Sequence, residues 1–124
     1  MTLLVDSKPL KIRLANIDAP EKKQPFGQRS KQSLSDLCWK KDAQYQAQAI
    51  DRYKRTVAVV TCDGINANTT QVQRGLAWVY TKYNKDQRLP ALEQEVKSSG
   101  IGLWSDVSPI PPWLWRKSKK EIKK

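Results

Sequence analysis

The chain has 124 residues and no histidine, and 23 Lys and Arg against 12 Asp and Glu leave a net charge of +11. One domain's worth of sequence with that balance favours a polyanionic partner, most simply a nucleic acid. The missing histidine excludes two-histidine ribonuclease chemistry, Ser-His-Asp triads and His-ligated zinc, so a general base must be a carboxylate, lysine, tyrosine or cysteine.

In chain order, Leu3-Leu4-Val5, Asp6-Ser7-Lys8-Pro9 and Leu10-Lys11-Ile12-Arg13-Leu14 read as strand, turn and strand. The second strand alternates, with Leu10, Ile12 and Leu14 on one face and Lys11 and Arg13 on the other. Pro20 and Pro25 bracket a loop over Glu21 to Gly27. Gln28 to Trp39 is predicted helical, with Leu34, Leu37 and Cys38 as its apolar stripe. Ala43 to Ala49 and Thr56 to Thr61 are the next strands, the second built on the β-branched run around Val57, Val59 and Val60.

Asn68 is read as the N-cap of a short helix with Val72 and Leu76 inward and Gly75 near its end. Leu89 to Ser99 is a third helix, opened by Pro90 and closed by Gly100 or Gly102, after which Leu103-Trp104 can pack back. The order of strands, helix, strands, helix, helix predicts a small α+β fold with a curled antiparallel sheet, and an OB-type β-barrel with three helices suits it. This unit covers residues 1–108. A Pro/Trp-rich and basic tail follows over 109–124, starting at Pro109-Ile110-Pro111-Pro112-Trp113. No apolar run approaches the roughly 20 residues of a membrane span. Cys38 and Cys62 lack metal-ligand spacing and read either as buried thiols or as one disulfide.

The chemistry concentrates in Arg13-Leu14-Ala15-Asn16-Ile17-Asp18-Ala19-Pro20-Glu21 and in Asp51-Arg52-Tyr53-Lys54-Arg55. Two carboxylates and two arginines are a minimal kit for hydrolysing a phosphodiester. One carboxylate holds a divalent cation and the other activates water, while guanidiniums grip the phosphate and the charge that builds on it.

These two segments, with Phe26-Gly27, Asn68-x-x-Gln71-Val72-x-x-Gly75-Leu76-Ala77-Trp78-Val79-Tyr80 and Gly102-Leu103-Trp104, resemble the staphylococcal-nuclease family in order and spacing from about Leu3 to Trp104. The resemblance implies an OB-fold nuclease that uses Ca²⁺ to cleave single-stranded DNA and RNA. It matches Asp18 to a metal carboxylate, Ala19 to a position whose backbone carbonyl reaches the metal, and Glu21 to the general base. Arg13 and Arg55 match the phosphate-gripping arginines. Arg52 and Tyr53 match positions near a terminal phosphate, and Tyr83 a tyrosine beside the nucleotide.

The family's second metal carboxylate, in an Asp-Gly-Asp-type turn, falls by register just before Met1, as does the barrel's first strand. That predicts weaker calcium binding, and a sheet edge open to pairing with a second copy of the chain. The same residues also suit a non-catalytic nucleic-acid-binding module of this fold. A third reading makes the Pro/Trp-rich tail a protein-docking segment; its tryptophans suit docking on their own domain equally well.

Overall fold

A computed structural model describes residues 1–122. Two strands, β1 (Thr2–Val5) and β2 (Lys8–Leu14), form an antiparallel hairpin. Its turn residues Asp6 and Ser7 have φ of 51° and 64°. Both are left-handed, as in hairpin turns whose twist matches that of the strands. A short strand β3 (Ile17–Asp18) follows, then helix α1 (Gly27–Cys38). Strands β4 (Ala43–Ile50), β5 (Thr56–Cys62) and β6 (Ile65–Asn66) lead into α2 (Ala67–Gln73) and β7 (Trp78–Val79). Helix α3 (Leu89–Ser99) and a 3₁₀ turn over Gly102–Ser105 precede a last helix, α4 (Pro112–Ile122).

The fold is α+β. The main sheet runs β1-β2-β5-β4, with β6 added beside β5, and β3 and β7 form a separate antiparallel pair. The sheet is mixed rather than antiparallel throughout, because β2 and β5 pair in parallel, with Arg13 opposite Val57. Helix α1 and strand β4 together make the crossover that such a pair requires. The three predicted helices are present, and the tail adds the fourth. No helix among the described residues is long and apolar enough to cross a membrane.

Two apolar clusters hold the fold. Ile12, Ala58, Val60 and Cys62 pack beneath the sheet, and Ile17, Val72, Ala77, Val79 and Leu89 pack among α2, α3 and the β3–β7 pair. Leu14 contacts both clusters. Cys38 and Cys62 are joined as a disulfide across 24 positions of sequence. In the chain-entropy account, closing a loop of that length contributes about 3 kcal/mol by restricting the unfolded chain.

The N-cap of α2 is Asn66, whose side chain accepts from the Thr69 amide, and not Asn68. Asn68 lies two residues further in and is buried. Its Oδ1 accepts from the Val60 amide at 3.0 Å, and its Nδ2 donates to the carbonyls of Ala15 and Ala58. It therefore fastens α2 to β5 and to the turn that follows β2. Gln71 does the same toward α1, accepting from Ser33 Oγ at 2.6 Å and donating to the Ser30 carbonyl at 3.0 Å. Buried polar groups that are fully paired in this way fix one arrangement of helices, because any shift strands donors and acceptors.

Candidate active site

The site grows from the end of β2. Arg13 is half-buried there, and its Nη1 donates to the carbonyls of Leu14 at 3.4 Å and Ile17 at 3.2 Å. These bonds fold the guanidinium back over the tight turn at Ala15 and Asn16. Asn16 has φ 71°, accepts the Tyr80 amide on its carbonyl and the Lys85 amide on its side chain, and so locks the turn to the segment after β7. β3 then pairs Asp18 with Trp78, which drives the Asp18 side chain inward to 4% exposure. A carboxylate buried that deeply needs cationic partners. Arg13 Nη2 supplies one, at 3.3 Å from Oδ1.

Glu21 stands on the following loop. Its amide donates to Gln24 Oε1 at 3.0 Å. The loop closes tightly at Gly27, whose amide donates to the Gln24 carbonyl. A Cβ on Gly27 would overlap the Glu21 carbonyl oxygen, so only glycine lets the chain pass here.

The second partner of these acids comes from nearly the far end of the chain. Arg116, on α4, forks onto Asp18, with Nη2 at 2.6 Å from Oδ2 and Nη1 at 3.3 Å from Oδ1. The same Nη1 donates to Glu21 Oε1 at 2.6 Å. The hydrogen bonds to Asp18, and then to Glu21, push the Arg116 guanidinium above its ordinary value despite its partial burial. Helix α4 is held in place by Trp113, which stacks on Tyr80 with ring centres 5.1 Å apart and planes within 5°. Tyr80 in turn lies 5.7 Å from the Arg13 guanidinium carbon. Gln24 completes the attachment by donating to the Ile110 carbonyl at 2.5 Å.

Arg13, Asp18 and Glu21 are thus gathered in one place, with Ala19 half-buried between the two acids. Arg55 lies just ahead of β5. It stands two residues before Val57, the partner of Arg13 in β5, and both guanidiniums repel the Met1 ammonium and lower its pKa, after the larger effect of burial. Arg55 itself is paired with Asp51, Nε to Oδ2 at 2.8 Å. Asp51 also accepts the amides of Tyr53 and Arg55, which organises the turn. Burial pushes the Asp51 carboxyl up, but these hydrogen bonds outweigh it and hold the group below its ordinary value.

Arg52 and Tyr53 lie on that exposed turn, with Arg52 Nη2 donating to the Tyr53 hydroxyl at 2.7 Å. Tyr83 is also exposed and meets Tyr80 edge-on at 4.9 Å. Neither tyrosine is packed into the core. The residues that sequence reasoning missed are Arg116 and Gln24. The signal for α4 was present as Pro112 ahead of Trp113-Leu114-Trp115, a proline at a helix start.

Among the described residues no cluster of three His, Cys, Asp or Glu side chains could hold a metal ion. The donor set here is two carboxylates, buried Asp18 on β3 and Glu21 on the loop that follows, and a guanidinium already sits between them. A buried carboxylate with carbonyl and water oxygens beside it suits a hard divalent ion, which Asp18 and the Ala19 carbonyl would hold.

An open cleft of about 600 Å³ lies elsewhere. Gln46, Gln48, Asn66, Lys85 and Arg88 line it, and it shares only Asn16 with the neighbourhood of the acids.

Residues 11–106 match the family described as staphylococcal nuclease homologue. The chain belongs to that family. A protein named "uncharacterized endonuclease" from Haemophilus influenzae is 45% identical over 114 residues, covering 92% of this chain and 64% of its own length. One of the same name from Escherichia coli O157:H7 is 45% identical over 113 residues, covering 90% of this chain and 74% of its own. A "micrococcal nuclease" from Shigella flexneri is 38% identical over 129 residues, covering 95% and 74%. The chain therefore spans about two thirds to three quarters of these relatives. Residues 11–106 contain Arg13, Asp18, Glu21 and Arg55, whereas Arg116 and α4 lie beyond the matched segment.

Proposed function

We propose that this member of the nuclease family hydrolyses phosphodiester bonds of single-stranded DNA and RNA at the Arg13–Asp18–Glu21 cluster, with Ca²⁺ as the divalent ion. The observation that carries the reading is the convergence of one half-buried arginine and two carboxylates on the β2–β3 junction and its following loop. It lies within the segment that matches the family.

Asp18 and the Ala19 carbonyl would hold the ion, which when bound polarises a phosphate oxygen and offsets its charge. Glu21 takes the proton of the attacking water as its oxygen bonds to phosphorus and the bond to the leaving oxygen breaks. Arg13 faces the phosphate with a fork already set by the Leu14 and Ile17 carbonyls, so little orientation is lost at the moment of reaction. Arg55, oriented through Nε by Asp51, grips the same phosphate from the neighbouring strand. Arg52, Tyr53 and Tyr83 offer a cation and two exposed rings to the flanking nucleotide and its terminal phosphate.

A second reading, a nucleic-acid-binding module without catalysis, draws on one observation: both acids are already neutralised by guanidinium groups. Cleavage of labelled single-stranded oligonucleotides separates the two. Calcium-dependent cleavage of DNA and RNA that stops with chelator is the expected result. Salt-sensitive binding with no cleavage at any calcium concentration would establish the binding module instead.

A further inference from the structure

The contact between α4 and the two acids is the least expected feature of the molecule. Arg116 reaches back 98 positions to Asp18 and 95 to Glu21. Its guanidinium spans both carboxylates, and with Arg13 it engages both oxygens of Asp18. An ion on Asp18, with Glu21 free to face water, would need the place that this guanidinium holds. A doubly charged ion and a guanidinium within a few ångströms also repel each other strongly where water is scarce. The two cannot occupy the pair together.

We propose that Arg116 is a tethered counter-ion of the active site: it seats between Asp18 and Glu21 until a divalent cation displaces it, and so sets the cation concentration at which the site becomes competent. This rests on the reading of Asp18 as the cation's carboxylate and of Glu21 as the base beside it.

The charge count supports an exchange rather than a permanent cross-link. Asp18 and Glu21 carry two negative charges, and Arg13 with Arg116 carries two positive ones, so the cluster as it stands is neutral. Replacing Arg116 by a divalent ion leaves a net positive cluster, which attracts a phosphodiester where the neutral one does not. The guanidinium also occupies Glu21 Oε1, a lone pair that a base needs for water.

The anchoring of α4 makes the exchange local. Trp113 on Tyr80, buried Pro112 and the bond from Gln24 to Ile110 hold the start of the helix independently of Arg116. Arg116 is 42% exposed along its side chain, so it can swing outward without unseating that anchor. Kept close by the helix, it returns whenever the ion leaves. A site whose competent form is only partly populated shows a proportionally weaker apparent affinity.

The test is calcium affinity by titration calorimetry on the full chain, for the parent, Arg116→Gln, Arg116→Lys and Lys117→Gln, with thermal melting as a check on folding. Arg116→Gln should bind Ca²⁺ about tenfold more tightly, as expected when an occupant present about nine-tenths of the time is removed. Arg116→Lys keeps the charge but loses the fork, and should fall between parent and Arg116→Gln. Lys117→Gln removes the same charge one residue away and should leave the affinity within about twofold, since an exposed charge is screened.

Equal affinity for parent and Arg116→Gln would overturn the proposal. So would weaker binding by Arg116→Gln, or an equal gain in Lys117→Gln. In each of those cases calcium-dependent cleavage by the parent would leave the nuclease reading standing. Absence of calcium binding in every variant would overturn the tethered counter-ion, and cleavage that persists in chelator would then show that the calcium reading failed with it.

Discussion

Glu21→Gln should cleave single-stranded DNA at least about 10²-fold more slowly than the parent chain while binding a short oligonucleotide with nearly unchanged affinity. The amide keeps the size of the side chain, and its oxygen can still accept from Arg116. What it loses is the capacity to take a proton as water attacks. A base acts on the transition state more than on the bound ground state, so the loss belongs in the single-turnover rate rather than in the dissociation constant. Rapid-quench cleavage and fluorescence anisotropy on the same oligonucleotide measure the two quantities. An unchanged rate, or a loss of binding that accounts for the whole loss of rate, would remove Glu21 from the role of base.

Gly27→Ala should damage both stability and activity, although Gly27 touches no substrate in this account. A methyl group there would overlap the Glu21 carbonyl oxygen and stand 2.9 Å from both the Glu21 carbonyl carbon and the Lys22 carbonyl oxygen. All three are backbone atoms, so no side chain can swing aside. The loop must move instead, and Glu21 with it. Overpacking of this kind costs about 1–3 kcal/mol, and a displacement near 1 Å of a reacting group costs about 10²-fold in rate. Urea unfolding and single-turnover cleavage, measured where the variant is fully folded, give both numbers. Gly64→Ala is the control. A methyl group there meets nothing within 4 Å, and the φ of 79° leaves only local backbone strain. It should lose about 1 kcal/mol of stability and keep its rate. Full activity in folded Gly27→Ala would mean that the position of Glu21 is not what limits the chemistry.

The parts of the molecule legible in the sequence are those set by neighbours along the chain. The third helix runs over the predicted Leu89–Ser99, since Pro90 opens it and Gly100 closes it with φ 63°. The first hairpin is equally local, because alternation sets its strands and Asp6-Ser7 turns them. The parallel pairing of β2 with β5 is not local. It joins Arg13 to Val57 across two strands and a helix, and alternating apolar residues suit either direction of pairing.

Asn68 shows a different failure. An asparagine ahead of an apolar run is a fair N-cap, but Asn66, two residues earlier, takes that role, and Asn68 spends its side chain on three backbone groups of other segments. The cluster of Arg13, Asp18 and Glu21 could be anticipated because one short segment contains all three. Arg116 could not, since its ion pairs cross almost the whole chain and a lysine-rich end reads as a solvated charge run. Only the tertiary fold brings α4 to the acids.

The most direct measurement of the central claim is a crystal structure of the chain with Ca²⁺ and a non-cleavable single-stranded oligonucleotide. The expected structure has an ion on Asp18, a phosphate within hydrogen-bonding distance of Arg13 and Arg55, and Arg116 withdrawn from both carboxylates. An oligonucleotide laid instead along the cleft of Lys85 and Arg88, with Arg116 still clasping Asp18 and Glu21, would contradict it.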